Sequence, residues 1–180
     1  MGLAEAGELV PQQPIDFPPA IWRNLLNRRA RGVIYGILQD RLSRAMELTD
    51  ALASEVTAES LALHNATGRS NTIGEQFWCL VGARESYARA FEHGIWRGFS
   101  CSLNTSGVHD PEAVRSALEH SNTLVQVQIR SIPDARVDES RISILFDLEQ
   151  NEVHLHGQLI RYFYANVLPF PTGFAKRYSL

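Results

Sequence analysis

The segment NEVHLHGQLIRYFYANVLPFP, residues 151–171, holds two of the chain's six histidines, His154 and His156, in a stretch whose apolar spacing reads as a helix. Imidazole is a ligand for zinc, nickel, copper and iron, so the pair raises the question of a metal centre. On a helix each residue turns by about 100°, which sends the two rings to nearly opposite sides and prevents them from gripping one ion together. A helix chelates through residues four apart, as in the HExxH helix. Gln150 and Gln158 stand at that spacing from His154, and Glu152 and Ile160 from His156, so among these neighbours Glu152 alone is a plausible ligand. Each histidine is expected to be solvated or held by a single hydrogen bond.

The same helix carries Asp147, Asn151 and Gln158 along one stripe, with Glu152 beside it. A polar stripe turned inward is costly unless its groups find partners. It therefore implies either a hydrogen-bonded network with water on a partly exposed face, or a small polar pocket that takes a small-molecule ligand. Cys79 lies among Phe77, Trp78, Leu80 and Val81, surroundings that raise a thiol pKa and predict a buried structural cysteine. Two other chemistries use it: a soft site of Cys79, His154 and a carboxylate, which requires local distortion to turn His154 inward, and metal-free thiol catalysis with a histidine base. No residue is assigned a catalytic role. His64, His93, His109 and His120 fall in linkers, at helix ends or alone on a helix, and are expected at the surface.

Four long helices have to position these groups. The first runs from about residue 20 to 53, with Ile21, Leu25, Leu26, Val33, Ile34, Ile37, Leu38, Leu42 and Met46 at helical spacing. Thr57, Glu59 and Leu61 mark a short capped turn. The second long helix starts at Asn71 or Thr72, has Glu75 in its first turn, and ends near His93 with Gly94 as a left-handed cap. An irregular loop follows, whose Trp96 and Phe99 are expected to pack over the helices. Asp110, Pro111 and Glu112 open the third helix, to about Arg130. The fourth begins near Asp138 or Ser140 and is stopped near Val167 by Pro169 and Pro171. Four helices without a strand pattern predict an all-α helix bundle, and the medium-length connections allow a crossover.

The chain has 180 residues, 44% hydrophobic and 21% charged, enough apolar material for one domain with a real core. Residues 1–19, polar and broken by prolines, read as an N-terminal extension, and 20–180 as the domain. A net charge of -3 and scattered arginines give no basic field, which disfavours nucleic-acid binding. Lys176 is the single lysine. Two cysteines make no disulfide framework, no apolar leader follows the N-terminus, and no stretch approaches the roughly 20 apolar residues of a membrane span. The expected setting is cytoplasmic, away from membranes.

Two segments resemble the DinB/YfiT-like superfamily of bacterial four-helix-bundle proteins, many of them metal-dependent enzymes. TAESLALHNATGRSNTIGEQFWCLVGARESYARAF is similar to the family's turn, polar linker and second helix, in which Ser/Asn-Thr-Ile-Gly precedes a ligand histidine. NEVHLHGQLIRYFYANVLPFP is similar to its fourth-helix motif, where an HxxxH pair precedes a basic residue, Gly and Gln. The resemblance implies a four-helix bundle with a crossover connection. With Trp78, Glu85, Gly157 and Gln158 as anchors, the family's three ligand positions fall on Cys79, Asn151 and Leu155. Leucine has no donor atom and asparagine offers a neutral oxygen suited to hard cations, so the usual three-histidine site is absent and no cofactor is expected. The resemblance then implies a DinB-like binding or interaction protein that has lost the metal chemistry, with a possible homodimer through apolar helix faces. The alternative is a metal-dependent hydrolase or thiol transferase, with zinc or nickel held by atypical ligands.

Overall fold

Capping chemistry sets most of the helix boundaries. The computed structural model describes residues 28–65, 70–133 and 136–180, and among them the protein is all-α, with six helices. Helix α1 is Arg28–Glu55; the expected N-terminal extension and the expected start of this helix lie outside the described residues. The short α2, Ala58–Leu61, opens on a capping box in which Thr57 and Ser60 satisfy each other's backbone amides. A second capping box, Thr72 with Glu75, starts α3, Ile73–His93, and Gly94 ends it with φ 73°. Helix α4, Pro111–Ser131, begins on the Asp110 cap with proline in its first turn. The Asp138 carboxylate accepts the Arg141 amide at 2.9 Å and starts α5, Glu139–Ala165.

Two differences from the sequence reading concern the C-terminus. Helix α5 ends at Ala165, two residues before Val167, because Asn166 caps it and Val167 turns left-handed with φ 53°. Beyond Pro171 a further helix, α6, Thr172–Tyr178, follows where the prolines had signalled only a stop. Proline at the N-terminal boundary starts a helix as readily as it ends the one before, since its missing N–H is one a first turn does not use.

Named contacts give the directions of the four long helices. Tyr35 stacks on Phe91 and its hydroxyl donates to the Ile129 carbonyl, while at the other end Arg115 reaches the Ala53 carbonyl. Helices α3 and α4 therefore both run opposite to α1. Arg41 bonds Glu149 and Thr49 bonds Glu152, so α5 runs parallel to α1. Two consecutive helices can point the same way only if the chain between them returns, and residues 94–110 run back along α3. Trp96 packs on Tyr87, the Ser100 amide donates to Ser86, and Phe99 packs on Trp78, as the loop aromatics were expected to do. Gly82 makes room for this loop: a Cβ there would lie 2.1 Å from the Phe99 ring.

The core is layered. One apolar cluster includes Leu52, Phe77, Leu80, Leu118, Leu155 and Phe163; the other includes Tyr35, Leu42, Met46, Phe91, Val125 and Leu148. Between them every long helix contributes a fully buried polar residue to one layer: Thr49, Arg84, Ser121 and Glu152.

Candidate functional site

The polar layer holds the one ion pair in the described core whose two side chains are both fully buried. Arg84 is fully buried and forks onto Glu152, with Nη2 2.6 Å from Oε1 and Nε 3.2 Å from Oε2. Its remaining N–H groups reach Asp50 Oδ1 at 3.3 Å and the carbonyls of Leu118 and Met46 at 3.4 Å each. Ser121 donates to the same Leu118 carbonyl. Asp50 also faces Asn122, at the α1–α4 seam, and keeps 40% of its side chain exposed.

Burial works to raise the Glu152 carboxyl, but Arg84, His156 and Thr49 together overcome it and hold Glu152 below the ordinary carboxylate range. Asp50 responds the other way: burial outweighs the attraction of Arg84 and raises it. Glu152 is thus the partner whose charge neutralises the buried guanidinium, in keeping with its shorter contacts.

From Glu152 the network continues outward, and the proton of every link follows from donor counting. Thr49 has one hydroxyl hydrogen, and the shorter of its two acceptors is Glu152 Oε1 at 2.5 Å rather than the Ala45 carbonyl at 3.4 Å. The Thr49 oxygen must then accept from His156 Nε2, 2.7 Å away. Burial pushes the His156 pKa down to about 4, against the pull of Glu152 and with the help of Arg84 and Arg177. The ring therefore carries this one proton near neutral pH, and Nδ1 is then the bare nitrogen that accepts the Tyr178 hydroxyl at 2.6 Å. His156 is consequently neutral and Nε2-protonated. The layer is thereby joined to α6 through one hydrogen-bonded file: Arg84, Glu152, Thr49, His156, Tyr178.

Of the residues singled out in the sequence, this file contains Glu152 and His156. His154 is exposed, and its Nε2 lies 2.8 Å from the Gln158 amide nitrogen one turn on, so these two pair on the outer face of an unbroken α5. Asp147 is half-buried, with its pKa raised by burial to about 6. Asn151 is partly buried and its Oδ1 has no hydrogen-bond partner. Cys79 is a free, partly buried thiol pushed up to about 11, by burial first and then by Glu75. Leu155 belongs to the apolar cluster beside Phe77 and Leu159. His64, His93, His109 and His120 are exposed. Among the described residues no three or more His, Cys, Asp or Glu side chains are placed to hold a metal ion. His156 departs from the single-bonded state expected of it: it is fully enclosed and holds two partners.

The sequence reading passed over Thr49, Arg84 and Tyr178. A usable signal was present for the first two, since each interrupts an apolar stripe between residues of the two clusters. Elsewhere, an open groove of about 360 Å³ lies between the returning loop and α4, lined in part by Ser102, Asn104, Ser116 and His120. No described helix is long and apolar enough to cross a membrane.

Comparison with known proteins finds no matching family model, no matching curated protein and no matching solved structure.

Proposed function

We propose that this chain is a DinB/YfiT-like four-helix bundle with a crossover connection that works without a catalytic metal, as a binding or interaction protein. The observation that carries the reading is Leu155. At a position where the resemblance calls for a ligand histidine, it is a leucine only 6% exposed, packed into the apolar cluster. A catalytic metal needs its ligands in place and an open coordination position. Asn151 supplies one unpaired oxygen, and Cys79 is held as a thiol rather than the thiolate that binds metal. Beside these positions the charged groups of the polar layer already satisfy one another, which suits a structural core. A small polar ligand would find its partners in the groove between the returning loop and α4, and the protein partner of the reading is a second copy of the chain.

The test is elemental mass spectrometry on protein purified without an affinity tag or chelator, repeated after incubation with zinc and with nickel. The expected result is far less than one metal per chain in every sample. Near-stoichiometric zinc or nickel that disappears in Cys79→Ala would overturn the reading in favour of a metal-dependent hydrolase or thiol transferase.

A further inference from the structure

After α5 the chain turns sharply and lays residues 168–180 back along the bundle. Phe170, Phe174 and Tyr178 follow one another at four-residue spacing and form the inward edge of this strap. Their rings continue a file of aromatic contacts: Phe163 to Phe170 at 5.3 Å, Phe170 to Phe174 at 5.9 Å, and Phe174 to Tyr178 at 4.9 Å. Phe174 is fully buried, with its ring 5.2 Å from that of His156. Among the described residues, the Tyr178 hydroxyl on His156 Nδ1 is the one side-chain hydrogen bond joining α6 to the long helices. The strap thus occupies its seat as an amphipathic helix occupies a groove, with anchors one turn apart.

The hinge that delivers it is strained. Val167 has φ 53° and is 92% exposed, a β-branched residue in the left-handed region with no packing to hold it there. What maintains the turn is backbone closure: the Leu168 amide bonds the Phe163 carbonyl at 2.9 Å and the Val167 amide bonds the Tyr164 carbonyl at 3.2 Å. That closure takes glycine at the left-handed position in most helices. A short strained hinge beside a helix held by ring contacts and one side-chain hydrogen bond is the arrangement that favours exchange between copies.

We propose that the strap, residues 168–180, is exchanged between two copies of this chain, each strap seated against α1 and α5 of the other. In that dimer the contacts of Phe163 with Phe170 and of His156 with Phe174, and the bond from Tyr178 to His156, reform in trans, while the ring contacts within the strap are kept and Val167 leaves the left-handed region. The occupant is fixed by the sequence, because the seat is already shaped to this strap. The inference names the partner and the surface for the interaction reading and stands independently of the family resemblance.

The experiment compares the full chain with Val167→Gly by size-exclusion chromatography with light scattering across a broad concentration range. It adds zero-length amine-to-carboxylate cross-linking of a mixture of isotopically light and heavy chains. Apart from the N-terminal amine, Lys176 in the strap is the only amine that can react. The expected result is a dimer whose Lys176 cross-links join light to heavy chains. Glycine removes the strain that exchange relieves, a factor of about five at each of two hinges, so the dimer should weaken by about twenty-fivefold in Val167→Gly. A chain that stays monomeric throughout overturns the proposal. So does a dimer of unchanged strength in Val167→Gly whose Lys176 cross-links stay within one chain, which would instead place the interface on the exposed Val33, Ile37 and Phe146. Metal content is untouched by either outcome, so failure here is distinguishable from failure of the metal-free reading.

Discussion

Replacing His156 by glutamine should flatten the acid limb of the protein's stability curve. The ring is fully enclosed, and burial moves its pKa from the usual 6.5 down to about 4. As pH falls, the unfolded chain takes up the imidazole proton first, since its pKa is the higher. The stability associated with neutral His156 is therefore complete above about pH 7 and is progressively lost as pH falls toward the folded value. Between pH 7 and pH 5 the difference in proton uptake amounts to about 2 kcal/mol. Glutamine offers no titrating group, so His156→Gln should shed that part of the slope while starting from a lower stability at pH 7, where it leaves Thr49 and Tyr178 imperfectly paired.

The assay is urea unfolding of both proteins at half-unit steps from pH 5 to pH 8, with the variant's curve subtracted from the wild type's. Subtraction removes the background of other groups, including Asp147, whose raised pKa of about 6 acts in the opposite sense by favouring the folded state as pH falls. The gap between the two proteins should narrow by about 2 kcal/mol from pH 7 to pH 5. Parallel curves would refute the reasoning, because a histidine that does not couple folding to pH in this range cannot be a neutral ring sealed between Thr49 and Tyr178.

Two further substitutions probe the core and the hinge. Arg84→Met should destabilise by about 3–5 kcal/mol by stranding the buried Glu152 carboxylate, and Arg84→Met with Glu152→Leu should recover most of that loss, because the double variant leaves no unpaired charge; thermal or urea unfolding of the two variants reads the difference. Val167→Gly should stabilise the monomer by about 0.5–1 kcal/mol, the left-handed penalty of an L-residue less the larger entropy of unfolded glycine, and an unchanged or lower urea midpoint would show that the turn carries no strain.

The elements that announced themselves did so through end chemistry. Thr72 with Glu75, Asp110 with Pro111, and Asp138 are local signals that act within one turn, and the structure uses each of them as a cap. Helix α6 gave no such signal: seven residues hold too few turns for a periodic pattern, and the prolines before it read equally as an end. The polar layer was half legible. Glu152 and His156 stood out as the four-residue pair of α5, but Arg84 sits in GARESYAR, where arginine is expected to face water. What marks Arg84 as internal is non-local: its carboxylate partner is 68 residues away. Tyr178 was out of reach for the same reason, since its partnership depends on a turn at Val167 that a valine does not advertise.

The layered arrangement also bears on why a polar centre persists in a helical core that could be apolar. Replacing a buried ion pair by hydrophobic residues is often neutral or stabilising, so the Arg84–Glu152 pair is weak ground for stability by itself. Its geometry, however, is selective. Four helices each place a polar group at the same level, and sliding α5 by one turn one way would set Arg84 against Leu148, while sliding α3 by one turn would set Glu152 against Leu80 or Ala88. The penalty for an unpaired buried charge then falls on every wrong register, while the apolar layers alone would tolerate several. Helices α3 and α4 run parallel after a return of the chain that is itself bonded along α3, and Arg84 with the shared Leu118 carbonyl ties the two helices to each other directly at the level of the polar layer. The same file fixes the seat of α6 through His156, so one set of hydrogen bonds sets both the register of the long helices and the docking point of the strap.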